Sequence, residues 1–196
     1  MIEFLLEVDR EIFLALNGFH APWMDPVMYW ISHKLTWLPL YAIFVWLIFK
    51  DYGRDGWLAL LGITLTIVLA DQITTTFMKP FFSRLRPSHE PLLENLVHIV
   101  NGYKGSQFGF ASSHAANTFG AATFLFLLFG KTRKWVVFLF AWAALVTYSR
   151  IYLGVHYPGD IVVGALVGML SALAGFKFYR WLKKLADTKR GSRNVQ

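Results

Sequence analysis

The chain has 196 residues, of which 56% are hydrophobic, 17% aromatic and only 16% charged. A soluble domain carries roughly 25% charged residues, so this composition excludes an ordinary water-soluble globule and suits a single domain that turns apolar surface towards lipid. The absence of cysteine excludes disulfides and thiolate metal sites, and the net charge of +7 leaves nucleic acid or a membrane surface as partner until the placement of the charges decides.

Residues 1–17 set Ile2, Leu5, Leu6, Ile12, Phe13 and Leu16 among Glu3, Glu7, Asp9, Arg10 and Glu11. This pattern predicts an amphipathic helix lying at the membrane interface, within an N-terminal segment 1–22. It has neither the basic start nor the small-residue cleavage site of a signal peptide. A spanning helix needs about 20 apolar residues, and five stretches reach or approach that length: 27–49, 57–78, 114–129, 135–152 and 161–181. The first of them carries His33 and Lys34, and the third is the shortest. The expected fold is all-α, a polytopic transmembrane helix bundle of five to six spans with an N-terminal amphipathic helix; a sixth span over the opening segment would bury several charges. It forms one membrane domain, residues 1–182, followed by a basic cytoplasmic tail, residues 183–196.

Helix breakers agree with this division. Pro80 and Pro87 interrupt the end of the second stretch, Gly102, Gly105 and Gly109 mark an irregular loop, and Pro158 and Gly159 punctuate the start of the last helix. Gly164, Gly168 and Ala172, at four-residue spacing, predict a close helix-packing face.

Basic residues in short connections set orientation. Lys50 and Arg54, then Lys131, Arg133 and Lys134, then the tail residues Lys177, Arg180, Lys183, Lys184, Lys189, Arg190 and Arg193 fall on one side if there are five spans, which makes that side cytoplasmic. The tail is then expected to meet anionic headgroups, not nucleic acid. Lys79, Arg84, Arg86, Lys104 and Arg150 fall on the outer side, against the rule, and are candidates for binding an anion.

Three clusters gather at the outer helix ends: Lys79 to Arg86 and Pro87; Ala111, Ser112, Ser113 and His114; and Ser149, Arg150, His156 and Asp160. Ionisable groups at such positions are costly and usually functional. Together they suit phosphoryl transfer. Fixed Lys and Arg donors stabilise the charge that spreads over the equatorial phosphate oxygens, and arginine holds two oxygens in one planar fork. Ser112 and Ser113 precede a helix N-terminus, whose free N–H groups attract anions. A neutral imidazole can attack phosphorus while a carboxylate on its other nitrogen fixes the tautomer; His156 and Asp160, four residues apart, meet on one helical turn. His114 can protonate the leaving oxygen.

These clusters resemble the three signature motifs of the type 2 phosphatidic acid phosphatase (PAP2) superfamily, and the compact chain is similar to its small bacterial membrane members. Lys79, Arg86 and Pro87 match the first motif, Ser112 and His114 part of the second, and Ser149, Arg150, His156 and Asp160 the third. Ala111 and Ser113 depart from the usual proline and glycine of the second motif. The resemblance covers about residues 57–181. It implies that His156 is the nucleophile that becomes phosphorylated, that Asp160 orients it, and that His114 is the acid. It implies that Lys79, Arg86, Ser112, Ser113 and Arg150 bind the phosphate, with no metal or organic cofactor.

Each residue alone has a plainer reading: Lys79 and Arg86 as headgroup anchors, His156 and Asp160 as a helix-start pair. His20, His33, His89 and His98 are read as interfacial or loop residues, and Asp71 and Gln72, inside the second stretch, as structural hydrogen-bonding groups. The order and spacing of the whole set favour the enzyme. The expected substrate is a lipid phosphate, with undecaprenyl diphosphate favoured and phosphatidylglycerol phosphate, phosphatidic acid and lipid A phosphates as alternatives. The expected site lies on the periplasmic or extracellular face of a bacterial inner membrane. A phospholipid transporter would not require the His156–Asp160 pair, and a silent scaffold would be expected to have lost a histidine. The sequence carries no signal for oligomeric state.

Overall fold

The computed structural model describes residues 1–193; the side chains of Ile2 and of residues 191–193, Arg193 among them, lie outside the description, as do residues 194–196 of the expected tail. Among the described residues the chain is all-helical, with one isolated bridge between Leu85 and Phe108.

The opening pattern forms α1, Ile2–Gly18. Phe4, Leu5, Leu6 and Ile12 stay exposed, while Phe13 and Asn17 are buried. Phe13 packs with Leu93, Ile151 and Tyr157. The Asn17 amide donates to the carbonyls of Ile151 and Tyr152 and accepts from the His98 N–H, which ties α1 to two distant segments.

The first expected span, 27–49, is two helices: α2, Met24–Ser32, and α3, Leu38–Tyr52. They part at His33, whose backbone is extended, and at a short 3-10 turn, Lys34–Trp37. The cause is Pro39, at the start of α3. Inside a continuous helix it would remove a backbone hydrogen bond and clash with the preceding turn, whereas in a first turn its missing N–H costs nothing. Gly53 ends α3 at φ 52°, a conformation that glycine adopts freely, and the chain turns back into α4, Gly56–Gln72. That helix passes through a π-helical segment, Ile73–Met78, into the short α5, Lys79–Phe82. Inserted π turns of this kind occur often at functional sites.

The remaining helices are α6, Ser113–Phe129; α7, Leu139–Tyr152, entered through a 3-10 turn at Lys134–Phe138; and α8, Pro158–Arg193. The last outruns its expected range and continues into the residues set aside as a tail, as far as Arg193. α4, α6 and α8 pack together most closely. The small residues of α8 permit this: a Cβ at Gly164 or Gly168 would overlap the carbonyl of Ser112 or Ala116 on α6, and Ala172 is buried. Phe44 and Ile48 of α3, Phe124 and Phe129 of α6 and Tyr179 of α8 fill the core beside this seam.

Among the described residues, three continuous helical stretches are long and apolar enough to cross a membrane, Lys34–Phe82, Lys134–Tyr152 and Pro158–Arg190, and Ser113–Phe129 is a shorter apolar helix. Gly53 folds the first of these into two arms. Trp30, Trp46, Trp57, Leu61 and Leu170 are exposed, as expected where lipid, not water, is the neighbour.

Candidate active site

Three helix ends converge on one cavity. Lys79, at the start of α5, donates from Nζ to Ser113 Oγ at 2.8 Å. The same hydroxyl accepts from Thr74 at 3.1 Å and lies 3.0 Å from Thr75 Oγ1. Beyond a left-handed turn at Ser83, the chain runs extended to Arg86, whose N–H donates to the Gln107 carbonyl. That pairing with the long loop points the guanidinium inward. Arg86 Nη1 donates to the Val155 carbonyl at 2.8 Å and to His156 Nε2 at 2.9 Å, and Nη2 donates to Ser106 Oγ at 3.2 Å. Arg150, in the last turn of α7, donates to Ser32 Oγ and, at 3.2 Å, to Tyr103 Oη. Arg86 and Arg150 are 5% and 3% exposed, and the Nε of each is enclosed without a hydrogen-bond partner among the described residues. Burying two guanidiniums with unused donors is expensive unless an anion completes them.

Between α7 and α8 the chain reverses at Gly154, φ 72°, where a side chain would strike Val97 and the His98 carbonyl. This turn delivers His156. Its Nδ1 lies 3.2 Å from Asp160 Oδ2, one helical turn ahead in α8. Because Arg86 is always a donor, Nε2 accepts, and Nδ1 therefore carries the proton and gives it to the carboxylate. Burial, with the Arg86 and Arg150 guanidiniums next in weight, holds the His156 imidazole well below its usual range, so the ring is neutral at pH 7. Burial and Arg150 bring Arg86 down to about 10, which leaves it a cation.

Asp160 is fully buried. Oδ2 also accepts from the Tyr157 N–H at 3.1 Å, and Oδ1 accepts from Arg84 Nη1 at 3.0 Å. Its backbone carbonyl accepts the Ser112 N–H, which joins the start of α6 to the start of α8. His114, on the first turn of α6, lines the cavity with His156, Lys79, Arg86, Ser113 and Arg150. Ser112 does not line it: the residue is fully buried, and its hydroxyl caps α6 by accepting from the Ala115 N–H. The cavity, about 940 Å³, extends from these polar residues into a lining that includes Phe44, Ile48, Ile67, Leu125 and Trp142.

Sequence reasoning missed the support behind Asp160. Arg84 bridges two carboxylates, giving Nη1 to Asp160 and Nη2 to Asp9 Oδ2 at 2.8 Å, and its guanidinium stacks on the Tyr157 ring at 4.0 Å. Asp9, on α1, also accepts the Gly159 N–H at 2.7 Å, at the start of α8. The chain thus builds a relay, His156–Asp160–Arg84–Asp9, that returns to the helix bearing Asp160. Arg84 had one signal, its breach of the charge rule; Asp9 had none beyond its place in an acidic helix. Tyr103 and Ser32, which hold Arg150, carried no signal. Among the four plainly read histidines, His98 stacks on His20 and meets Asp25 at 2.9 Å.

Buried fixed cations around a neutral imidazole and its carboxylate, inside an apolar helical bundle, define a membrane-embedded phosphatase. Residues 55–184 match the PAP2 superfamily, and the chain belongs to it: it is an integral membrane lipid phosphatase. It is 43% identical to the lipid A 4'-phosphatase of Bacteroides thetaiotaomicron, over 94% of this chain and 81% of that one. The lipid A 4'-phosphatase of Porphyromonas gingivalis is 38% identical over 92% of this chain and 79% of its own length. Undecaprenyl-diphosphatase BcrC of Bacillus subtilis is 29% identical, covering 89% and 84%. Among solved structures, Aquifex aeolicus LpxE superposes with a TM-score of 0.62 at 29% identity, covering 85% of this chain and 93% of that one.

Proposed function

We propose that the enzyme removes a phosphate from a lipid A type of lipid through a phosphohistidine on His156. The observation that carries the chemistry is one cavity in which buried cations adjoin an imidazole whose far nitrogen meets a carboxylate. The substrate reading replaces undecaprenyl diphosphate as the favoured one. Its support is the higher identity to lipid A 4'-phosphatases, 43% and 38%, than to an undecaprenyl-diphosphatase, 29%.

The step runs as follows. Lys79, Arg86, Arg150 and the N–H groups at the start of α6, with Ser113, bind the phosphoryl oxygens; Ser112 contributes by capping that helix end. Arg86 donates to the very nitrogen that attacks, so a phosphate that draws Arg86 onto its oxygens also releases the Nε2 lone pair. Nε2 bonds to phosphorus, the P–O bond to the lipid breaks, and His114 gives its proton to the departing oxygen. Asp160 stabilises the positive ring through Nδ1–H. A water then attacks phosphorus, His114 takes its proton, the P–N bond breaks, and inorganic phosphate leaves. Electrostatic stabilisation by the cations takes the place of a metal in this scheme.

The crossings are five: α3, the α4–α5 arm, α6, α7 and α8. α1 lies along the interface, the site faces the periplasm of a bacterial inner membrane, and the basic residues 183–196 sit at the cytoplasmic leaflet, outside the domain formed by residues 1–182. Phosphate release is to be measured with EDTA present, from 4'-phosphorylated lipid A, undecaprenyl diphosphate, phosphatidylglycerol phosphate and phosphatidic acid. The expected result is the highest kcat/KM on the lipid A phosphate and none for His156→Ala. Activity that survives His156→Ala sinks the mechanism; a preference for undecaprenyl diphosphate sinks the substrate. A tag in the loop at Lys131 reached from outside intact cells would reverse the orientation.

A further inference from the structure

Below the phosphate-handling residues, the cavity carries a second polar level. On one wall, Asp71, Thr75 and Lys79 recur at four-residue spacing through the π-helical segment, and all three line the cavity. On the facing wall of α6, Ser113 and Asn117 recur at the same spacing. The walls meet twice. Lys79 and Thr75 meet Ser113 at 2.8 and 3.0 Å, and Asn117 Nδ2 donates weakly to Asp71 Oδ1 at 3.4 Å. Four helical residues separate Ser113 from Asn117, so the second contact lies about 6 Å deeper. Beyond it come Ile67, Val68 and Leu125, and the lining turns apolar.

The lower level is rich in acceptors and short of donors. Asp71 makes no contact ion pair, the Lys79 cation acting on it only through space, and its second oxygen has no hydrogen-bond partner among the described residues. Asn117 Oδ1 is enclosed and accepts no hydrogen bond from the described residues. A carboxylate within a membrane helix is costly when so poorly partnered, and its oxygens are acceptors. What completes this level must be a donor.

We propose that Asp71 and Asn117 form a substrate-reading subsite that accepts hydrogen bonds from hydroxyl or amide N–H groups lying between the phosphate and the acyl chains. The inference rests on the lipid A reading and narrows it to the acylated amino sugar. Beyond its phosphates a polyprenyl diphosphate offers only hydrocarbon, and phosphatidic acid offers ester oxygens, which are acceptors. An N-acylated glucosamine phosphate places an amide N–H and hydroxyls one sugar ring from the phosphorus. A site built to pair such donors discriminates strongly against ligands that lack them.

Two readouts separate this subsite from the substrate assignment. The first is kcat/KM on 4'-phosphorylated lipid A and on phosphatidic acid for wild type, Asp71→Ala and Asn117→Ala. The ratio of the two should fall about tenfold or more in each variant. The second needs no turnover of lipid A: a phosphate-free N-acylated glucosamine lipid should inhibit release of phosphate from phosphatidic acid in wild type, with the inhibition constant raised about tenfold in Asp71→Ala. If wild type leaves lipid A phosphate intact but shows the Asp71-dependent inhibition, the substrate assignment falls and the subsite stands. If lipid A phosphate is the preferred substrate but both variants lose activity equally on the two lipids, or lose all activity, or inhibition is unchanged, the subsite is overturned.

Discussion

Removing Arg84 tests how much the site depends on a residue that does not itself line the cavity. Arg84→Met keeps an apolar stem against Tyr157 and deletes both hydrogen bonds of the guanidinium. Asp160 is then left with the His156 and Tyr157 contacts on Oδ2 and nothing on Oδ1, at zero exposure. A hydrogen bond to a charged group contributes roughly 1.5–3 kcal/mol. If that energy serves to hold the carboxylate against the imidazole, the barrier rises by the same amount, and at about 1.4 kcal/mol per decade kcat falls roughly 10- to 100-fold. KM should change little, because no phosphate-binding donor is disturbed. Asp9→Asn is the milder perturbation: it keeps an acceptor for the Gly159 N–H and weakens only the hold on Arg84. A drop of about 3- to 10-fold is expected. The two act through one chain, so the double variant should be no slower than Arg84→Met alone, a failure of additivity. Steady-state phosphate release in detergent from one lipid phosphate, for wild type and the three variants, gives all the numbers. Wild-type kcat in Arg84→Met, or fully additive losses in the double variant, would refute the relay.

Three further outcomes follow from geometry already given. Ser113→Ala removes the acceptor that positions Lys79 at 2.8 Å; kcat/KM should fall about 3- to 10-fold, and a fall of several hundredfold would instead make the hydroxyl essential. Gly168→Val forces side-chain atoms onto the Ala116 carbonyl of α6; over-packing of this kind costs about 1–3 kcal/mol, seen as a melting temperature lower by about 5 °C, and an unchanged melting temperature contradicts the close packing. The proposed nucleophile is neutral above a lowered pKa, so protonation removes it only when pH drops below the ordinary imidazole value near 6.5. After correction for the substrate's own second ionisation near 6, kcat/KM should show no acid limb at or above pH 6.5; a limb there would show an ordinary, solvated histidine, whereas a fall on the alkaline side belongs to His114, which must carry a proton to act as the acid.

The convergence of Lys79, Arg86, His114, Arg150, His156 and Asp160 could be read from spacing alone, because each cluster borders a helix end and membrane topology leaves few ways to arrange those ends. Local pairs were equally legible: His156 and Asp160 sit one turn apart in sequence and meet in space. Contacts between remote segments were not. Arg84 and Asp9 are 75 residues apart, and Asn17 meets Tyr152 across 135; nothing in either local pattern names its partner. The division of the first expected span has a different cause. His33 and Lys34 interrupt its apolar run at the point where the helices part, but Pro39 needs a helix start, and hydropathy does not register a missing N–H. Ser112 shows the opposite error: a hydroxyl next to a phosphate motif suggests a donor to the ligand, yet the helix it precedes needs its cap.

The shortness of α6 has a consequence for how such an enzyme meets its substrate. At 17 residues the helix is about 25 Å long, against roughly 30 Å of hydrocarbon in a bilayer. On the proposed five-crossing topology, a helix shorter than the hydrocarbon sets its end residues, Ser113 and His114 among them, below the plane of the headgroups. A phosphate must sink to reach them while its acyl chains stay where they already are, beside the apolar part of the cavity. Capture is then a two-dimensional encounter. Rates should follow the mole fraction of substrate in the surface, not its bulk concentration, and adding inert lipid or detergent at constant substrate should slow the reaction by surface dilution.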